Sequence, residues 1–363
     1  MPGYTALREY APPNRKRTSD NLLRLRQDLR LHLPVRTSHS TLLLATWNLR
    51  DFDSNKFGHG PRLPESFHYI AEILSAFDLV AVQEVNADLS GLEQLMGLLG
   101  PTWDYIATDR AEGSSGNLER MVFVFDRRKV RFNKIASGIV LPQARLIGGE
   151  LQFARTPFLV SFQSGWFKFS LCAVHLYYGA SSGEKLRRRI EEIHRVSEHL
   201  AKRALEDESN IILLGDFNIV HPEHETMKAL TRNGFSVPPE LQDTTNMDRS
   251  KYYDQIAFML RKNQLQLGDS RPNAGVYDYY RVIYKPETYK TYYPLAANQE
   301  PWETDEQGSS LDEAGRKAYF TNTWRTFQMS DHLPLWVELK IDFSEAYLQA
   351  IEAQPDNALL HHP

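Results

Sequence analysis

Polar side chains that could bind a metal or move a proton recur where apolar runs of this sequence end. In the stretch 211–220, IILLGDFNIV, apolar residues lead through Gly215 to Asp216 and Asn218. Such a run, bounded by a turn residue, predicts a buried strand. Asp216 and Asn218 lie two residues apart and therefore face the same way on an extended chain. Taken alone, the stretch fits the edge of a functional site and a strand followed by an Asx turn about equally.

Similar residues lie at one or the other end of further apolar runs, and the full set at strand-to-loop junctions is Asn48, Glu84, Glu119, His175, Asp216, Asn218, Asp254, Asp331 and His332. A single histidine or aspartate in such a place is more often a hydrogen-bonded cap, but the repetition favours one shared site. Carboxylate and amide oxygens suit Mg²⁺ or Mn²⁺ better than Zn²⁺. Such a cation, combined with acids and imidazoles, indicates hydrolysis of a phosphate ester. The metal would neutralise phosphate charge and an imidazole would activate water.

The elements that would carry these residues alternate between strands and helices. Apolar runs predict strands at 42–48, 79–85, 121–125, 167–176, 252–259 and 333–341, in addition to the strand that begins at 211. Helical spacing of apolar residues predicts helices at 67–77, 89–99, 184–204 and 223–233. The arginine run of the helix at 184–204 is typical of a solvated face with acid–base pairs, and a phosphate-binding role is the less favoured alternative.

Three regions are predicted along the chain. Residues 1–40 form an N-terminal arm, mobile over 1–19, with a short helix at 21–31. Residues 41–343 form the main domain, and residues 344–363 a C-terminal helix and tail. A tyrosine-rich insert spans about 272–328. Its aromatic side chains could stack on unpaired bases, or they could pack a second layer over the domain.

The composition is that of a soluble globular protein, with 363 residues, of which 42% are hydrophobic and 24% charged. The net charge of −4 argues against a broad basic nucleic-acid surface but allows a narrow one. Cys172 is the one cysteine, so no internal disulfide can form. We expect a cytoplasmic protein, because the N-terminus lacks the apolar core of a signal peptide. No apolar stretch approaches the length of a membrane span.

Five short motifs occur in a fixed order along the chain, namely TWN (46–48), QEV (83–85), HL (175–176), GDFN (215–218) and SDHLP (330–334). This set resembles the endonuclease/exonuclease/phosphatase superfamily, and the segments 118–130, 155–162 and 253–256 most closely resemble its DNase I-type nucleases. Each motif is weak alone, but the set is specific and spans about 42–341. The resemblance implies an α/β fold, a four-layer sandwich of two packed, mostly antiparallel sheets flanked by helices.

The resemblance also implies roles for the metal and the imidazoles. Glu84 would be the main ligand of Mg²⁺ or Mn²⁺, with Asn48 beside it and Asp331 close to the metal. Two acid–imidazole pairs would act on the substrate. Asp254 would orient His332, which acts as general base or stabilises the attacking water, and Glu119 would orient His175, which acts as acid toward the leaving oxygen. A carboxylate bonded to one ring nitrogen fixes the tautomer and favours the imidazolium. The sequence leaves open which imidazole is the acid and which the base.

Other residues would hold the substrate. By the same resemblance, Asp216 and Asn218 position water and the scissile phosphate, and Arg155 contacts a phosphate. Tyr177, directly after the HL motif, is a candidate for shaping the groove. Gln255 stands where DNase I-type nucleases have arginine, which removes one phosphate contact.

The predicted function is that of a metal-dependent DNA endonuclease of low sequence specificity. The alternative is a phosphatase or phosphodiesterase on inositol phosphates or phospholipids, although GDFNI differs from the Gly-Asp-Leu-Asn-Tyr-Arg type of inositol phosphatases. Abasic-site endonucleases usually carry Arg-Leu-Asp where this chain has Tyr-Tyr-Asp, at 252–254. A binding module without catalysis is a third possibility, but such a module would have no need to keep both acid–imidazole pairs.

Overall fold

The computed structural model describes residues 2–111, 117–260, 266–296, 300–304 and 308–353. Its strands are β1 Thr41–Phe52, β2 Leu79–Val85, β3 Trp103–Ala107, β4 Arg120–Asp126, β5 Arg131–Gly138, β6 Phe158–Ser164, β7 Phe167–His175, β8 Ile211–Asp216, β9 Asp254–Met259, β10 Ala274–Val276 and β11 Leu335–Lys340. Its α-helices are α1 Pro12–His32, α2 Pro64–Ser75, α3 Ser90–Leu99, α4 Gly183–Glu206, α5 Glu225–Thr231, α6 Tyr289–Ala296, α7 Glu300–Glu303, α8 Glu313–Tyr319, α9 Arg325–Gln328 and α10 Ser344–Glu352.

The strands form two mixed sheets. The first has the order β10-β11-β1-β2-β4-β3 and the second the order β5-β6-β7-β8-β9. Each contains one parallel pair, β1 with β2 and β7 with β8, and its remaining pairs are antiparallel. The sheets pack face to face through side chains such as Leu44, Phe123, Phe162 and Leu214. The predicted α/β sandwich is therefore confirmed.

Helices cover the outer face of each sheet and complete four layers. Helices α1, α2 and α3 and the segment after β10 share a core with outward residues of the first sheet, including Trp47 and Trp336. Helices α4 and α5 cover the second sheet through Ile193, Val196 and Leu230. In the central strands of both sheets, side chains alternate between the core that joins the two sheets and the core beneath the helices. A change of register would therefore move apolar groups out of both cores.

The N-terminal residues are more ordered than the sequence suggested. Helix α1 begins at Pro12, not near residue 21, and a 3₁₀-helix precedes it at Thr5–Glu9. Proline is well suited to the first helical turn, because its missing N–H would have no partner there. Arg17 of α1 forms an ion pair with the buried Glu65 of α2. The prediction of a mobile 1–19 segment is therefore wrong, because this segment packs on the domain. The predicted tail beyond α10, residues 354–363, lies outside the described residues.

The tyrosine-rich insert packs as a second layer. Its buried rings include Tyr277, Tyr279, Tyr280, Tyr284, Tyr289 and Tyr292, and they share the core of α1 and α2. A π-helical turn at Phe320–Trp324 joins α8 to α9. These rings are therefore covered by protein and cannot stack on bases. No helix within the described parts of the chain is long and apolar enough to cross a membrane.

Candidate active site

The sheet topology brings the predicted residues to one end of the sandwich. Strands β1 and β2 are parallel, and β11 and β4 run antiparallel beside them, so β1 and β2 end where β11 and β4 begin. In the second sheet β7 and β8 end where β9 begins. Residue pairs in this sheet are in direct register, with His175 opposite Asp216 and Asp216 opposite Asp254. The sandwich thus collects residues distant in sequence at a single edge.

Gly215 allows β7 and β8 to approach closely at this edge. Its φ of +129° is unfavourable for other residues, and a Cβ at this position would lie 2.1 Å from the carbonyl oxygen of Val174. Any larger residue would push the strands apart just before His175 and Asp216. The glycine in GDFN therefore sets the spacing between an imidazole and a carboxylate.

Asp216 lies between the two imidazoles. Its Oδ2 is 3.7 Å from Nε2 of His175 and 3.8 Å from Nε2 of His332. Its Oδ1 accepts a hydrogen bond of 2.9 Å from the backbone N–H of Asn218. Asp216 and both rings are largely buried. One carboxylate oxygen thus faces two ring nitrogens of the kind that exchange protons.

Asp254 and His332 form the tighter of the two acid–imidazole pairs. Oδ2 of Asp254 is 2.7 Å from Nδ1 of His332, and Asp254 is fully buried. Burial alone would lower the pKa of His332, but the Asp254 and Asp216 carboxylates outweigh it and raise that pKa well above its usual value. The Asp254 carboxylate therefore favours the imidazolium and fixes the orientation of the ring.

Glu119 and His175 form a looser pair, in which an arginine also takes part. Nδ1 of His175 is 3.1 Å from Oε2 of Glu119 but is not aligned for a hydrogen bond. The Nε–H of Arg155 donates to the same oxygen at 2.7 Å. Burial would raise the pKa of Glu119, but the neighbouring His175 and Arg155 lower it to about 2. Glu119 is thus held as a carboxylate by two groups at once.

Glu84 is placed by a distortion at the end of β2. The register between β2 and β4 shifts between Val82 and Val85, and Glu84 has a φ of +59°. Its Oε1 accepts from Nδ2 of Asn48 at 2.8 Å and lies 3.8 Å from Nε2 of His175. Its Oε2 accepts from the N–H of Asp51 at 2.8 Å. Such strained positions are common at functional sites.

The oxygen-bearing side chains at this edge fit a hard cation that takes only one or two of its ligands from the protein. The described residues contain no group of three or more His, Cys, Asp or Glu side chains placed to hold a metal. Mg²⁺ needs fewer, because it is commonly bound by one or two carboxylates with water and substrate oxygens. Glu84 can supply one such carboxylate. Asn48 turns its amide nitrogen toward Glu84 and Asp216, and Asp331 pairs with Arg50 at 3.3 Å.

Of the predicted substrate residues, Asn218 and Arg155 contact residues of the site, whereas Tyr177 contacts α4. Asn218 has a φ of +54°, and its Nδ2–H donates to the carbonyl oxygen of Leu176 at 3.1 Å. Arg155 lines a cavity of about 270 Å³ beside His175, together with Glu119, Arg110 and Arg120. Tyr177 lies under the guanidinium of Arg188, with 4.1 Å from Cζ to the ring centroid.

Two buried residues of α4 hold the loops that carry this site, and the sequence-based prediction missed both. Arg189 is fully buried and donates to the carbonyl oxygens of Tyr178 and Asn218 at 2.9 Å each. Glu192, also fully buried, accepts from the N–H groups of Ala154 and Tyr177. The expectation that the arginine run is only a solvated face is therefore wrong for Arg189. Its spacing four residues before the buried Ile193 was the available signal.

Ser330, just after the insert, and Tyr279, within it, fix the backbone of His332. Ser330 Oγ–H donates to the carbonyl oxygen of Asn48 at 2.6 Å and accepts from the N–H of His332 at 2.9 Å. The Tyr279 hydroxyl lies 2.9 Å from the carbonyl oxygens of Ser330 and His332. Tyr279 is fully buried, so these contacts are shielded from water. The insert thus fixes the backbone on which one catalytic candidate stands.

Comparison with known proteins places this arrangement in a family. The model of the endonuclease/exonuclease/phosphatase family matches residues 45–332. No curated protein matches the chain. A family member from Bacteroides thetaiotaomicron has 17% identity and a TM-score of 0.52, covering 84% of this chain and 99% of its own.

Two further structures show the same fold at similar sequence identity. Mannosyl-6-phosphatase of Bacteroides thetaiotaomicron has 17% identity and a TM-score of 0.51, with 82% of this chain and 99% of that one covered. The human nocturnin catalytic domain with bound sulfate has 15% identity and a TM-score of 0.52, with 82% and 94% covered. The chain belongs to the endonuclease/exonuclease/phosphatase family, whose members hydrolyse phosphate esters and generally depend on a divalent metal.

Proposed function

We propose that this protein is a divalent-metal-dependent phosphodiesterase that cuts DNA as an endonuclease of low sequence specificity. The observation that carries the proposal is the position of Asp216, whose Oδ2 lies 3.7 Å from His175 and 3.8 Å from His332. Hydrolysis of a phosphodiester needs a proton removed from water and a proton given to the leaving oxygen. Two imidazoles on either side of one carboxylate provide a group for each task.

In this proposal His332 acts as the general base from its neutral form, or stabilises the attacking water while the ring carries its proton. Asp254 holds its Nδ1 at 2.7 Å, which leaves Nε2 directed toward Asp216 and the reacting water. A buried carboxylate behind the ring stabilises the imidazolium that forms when the ring takes the proton. Asp216 and Asn218 orient the water and the scissile phosphate.

His175 acts as the general acid toward the leaving oxygen. Glu119 stands behind its Nδ1, and Arg155 keeps Glu119 ionised and in place. Arg155 makes one hydrogen bond through Nε, and its guanidinium also lines the cavity beside His175, where it is available to a phosphate oxygen. Tyr177, two residues after His175 in the sequence, is the residue proposed to shape the groove.

Glu84 is the proposed main ligand of Mg²⁺ or Mn²⁺, with Asn48 and Asp331 beside it. When bound, the metal would neutralise phosphate charge and polarise the phosphorus–oxygen bonds. The choice of DNA rests on the resemblance of 118–130 and 253–256 to DNase I-type nucleases. A cytoplasmic location is proposed because Cys172, the single cysteine, is buried and unpaired.

A small phosphate ester is the second candidate, and the cavity beside His175 favours it. About 270 Å³ with Arg110, Arg120 and Arg155 in its lining would suit an inositol phosphate or a phospholipid headgroup. One protein of the same fold is named mannosyl-6-phosphatase, so the fold accommodates small phosphorylated molecules.

A substrate panel separates the two candidates. Purified protein with Mg²⁺ or Mn²⁺ is incubated with plasmid, single-stranded DNA, RNA and inositol phosphates, beside Glu84→Ala and His332→Ala. We expect plasmid nicking that EDTA and both substitutions abolish. Release of phosphate from an inositol phosphate with every nucleic acid left intact would contradict the nuclease proposal. Activity that survives EDTA would contradict the metal assignment.

A further inference from the structure

We propose that an aromatic shelf beside the site binds an unpaired base next to the scissile phosphate. The shelf consists of Arg50, Lys56, Phe57, His59 and Phe327. It joins the β1–α2 loop to helix α9 at the end of the insert. The inference rests on the proposed function, because it names the part of a nucleic acid that this site would recognise.

Phe327 is the fixed centre of the shelf. Cζ of Arg50 lies 4.0 Å from the centroid of its ring, and the His59 ring stacks on it at 4.2 Å and 28°. The Nδ1 atom of His59 lies 2.9 Å from the Tyr319 hydroxyl, and Arg50 also bonds to the hydroxyl of Thr326. Phe327 is therefore held between Arg50 and His59, which are themselves bonded to other residues of the insert.

Phe57 is the open ring of the shelf. Its side chain is 56% exposed, and its ring centroid lies 5.7 Å from that of Phe327. Nζ of Lys56 lies 5.0 Å from the Phe57 ring centroid and 2.9 Å from Oδ1 of Asp51. The exposed Phe57 ring thus adjoins one aromatic ring and one cation. It presents an apolar face that a ligand can cover.

The shelf adjoins the catalytic candidates. Nη1 of Arg50 is 3.3 Å from Oδ2 of Asp331, the residue before His332. The Arg50 N–H donates to Oδ1 of Asn48 at 2.9 Å. The shelf is thus tied by direct contacts to the same strand ends that carry the site, and a chain bound there would pass Glu84 and His332.

The chemistry of the shelf fits a base and its phosphate. Aromatic side chains flanked by cations are the common means of holding single strands, because each base offers a flat face and each linkage a negative charge. In a duplex both faces of an internal base are already covered by its neighbours. The open Phe57 ring therefore fits an unpaired base, and the substrate would be single-stranded or frayed at this position.

Binding of defined oligonucleotides tests the shelf. All variants are made in the His332→Ala background with Mg²⁺, so that bound strands stay intact, and affinity is measured by fluorescence anisotropy. We expect Phe57→Ala to weaken binding of a single strand about tenfold. Binding of an abasic strand of equal length should not change, and Phe57→Trp should retain affinity. Trp166→Ala is the matched control, because Trp166 is 53% exposed and packs near α10.

Three results would overturn the inference in different ways. If Phe57→Ala and Trp166→Ala behave alike while the wild type still cuts DNA, the shelf is wrong and the nuclease proposal stands. An equal loss on the normal and abasic strands would also rule out base stacking. If the wild type neither cuts nor binds any strand, the proposed function fails and the inference falls with it.

Discussion

Nδ1 of His332 lies 2.7 Å from Oδ2 of the fully buried Asp254, while Nε2 of the same ring lies 3.8 Å from Asp216. One side of the imidazole is thus fixed and the other faces the site. Replacing Asp254 by Asn keeps the shape but removes the charge that stabilises the imidazolium. We predict that Asp254→Asn lowers kcat about 10²- to 10⁴-fold, measured on plasmid at saturating Mg²⁺.

The control is Asp243→Asn, which removes a carboxylate that pairs with Arg249 on the surface. Its kcat should equal that of the wild type. If Asp254→Asn also retains full activity, Asp254 has no part in catalysis and His332 loses its proposed role as base.

Arg189 links the loop after His175 to the loop after Asp216 through the carbonyl oxygens of Tyr178 and Asn218. Replacing it by Met leaves these buried acceptors without partners. We predict that Arg189→Met lowers the free energy of unfolding by about 2–4 kcal/mol and kcat about tenfold or more. Denaturant titration and steady-state rates measure the two effects.

Arg187→Met is the matched control for that substitution, because Arg187 lies two residues earlier on α4 with its side chain 74% exposed. It should change neither quantity. The positioning role is refuted if Arg189→Met is destabilised but its kcat, measured well below its melting temperature, equals that of Arg187→Met.

Tyr279 connects the insert to His332, because its buried hydroxyl lies 2.9 Å from the carbonyl oxygens of Ser330 and His332. We predict that Tyr279→Phe lowers kcat several-fold with KM little changed, and stability by about 1–2 kcal/mol. Tyr293→Phe, which removes a hydroxyl bonded to Glu303 elsewhere in the insert, is the comparison. Equal rates for the two variants would show that the insert does not act on the site.

Asp126 makes stability depend on pH. Burial would raise its pKa, but hydrogen bonds from Arg128 and Arg36 outweigh it and hold the pKa well below the usual range. A carboxyl with a lowered folded-state pKa stabilises the fold above its unfolded pKa of about 4. This contribution declines as pH falls below that value and is fully lost only below the lowered folded-state pKa. We predict that Asp126→Asn lowers the melting temperature clearly at pH 7 and less at pH 3. An equal decrease at both pH values would contradict this.

The positions of the site strands could be predicted, because apolar runs that end in polar groups are a local signal. The strand at 79–85 and the helix at 89–99 agree with β2 and α3 within a residue. The edge of the sandwich at which the site strands meet could also be predicted, because the family motifs identify the fold. Local sequence patterns were therefore enough to place those residues that lie at the end of their own strand.

Hydrogen bonds between residues far apart in the sequence could not be predicted in the same way. The contact of Ser330 with the carbonyl oxygen of Asn48 spans most of the chain, and no periodicity indicates it. Arg189 looked solvated because its neighbours are charged, although its partners are carbonyl oxygens that only the folded loops bring near. Such residues stabilise a site, but neither their type nor their spacing in the sequence indicates catalysis or metal binding.

The central claim, that His332 and His175 serve as base and acid, can be tested through the leaving group. A phosphodiester with a p-nitrophenyl leaving group needs no general acid, whereas a DNA linkage does. Rates of His175→Ala and His332→Ala are compared on both substrates. We predict that His175→Ala loses about 10²-fold or more on DNA but little on the p-nitrophenyl ester, and that His332→Ala loses activity on both. Equal losses for His175→Ala on the two substrates would contradict the account.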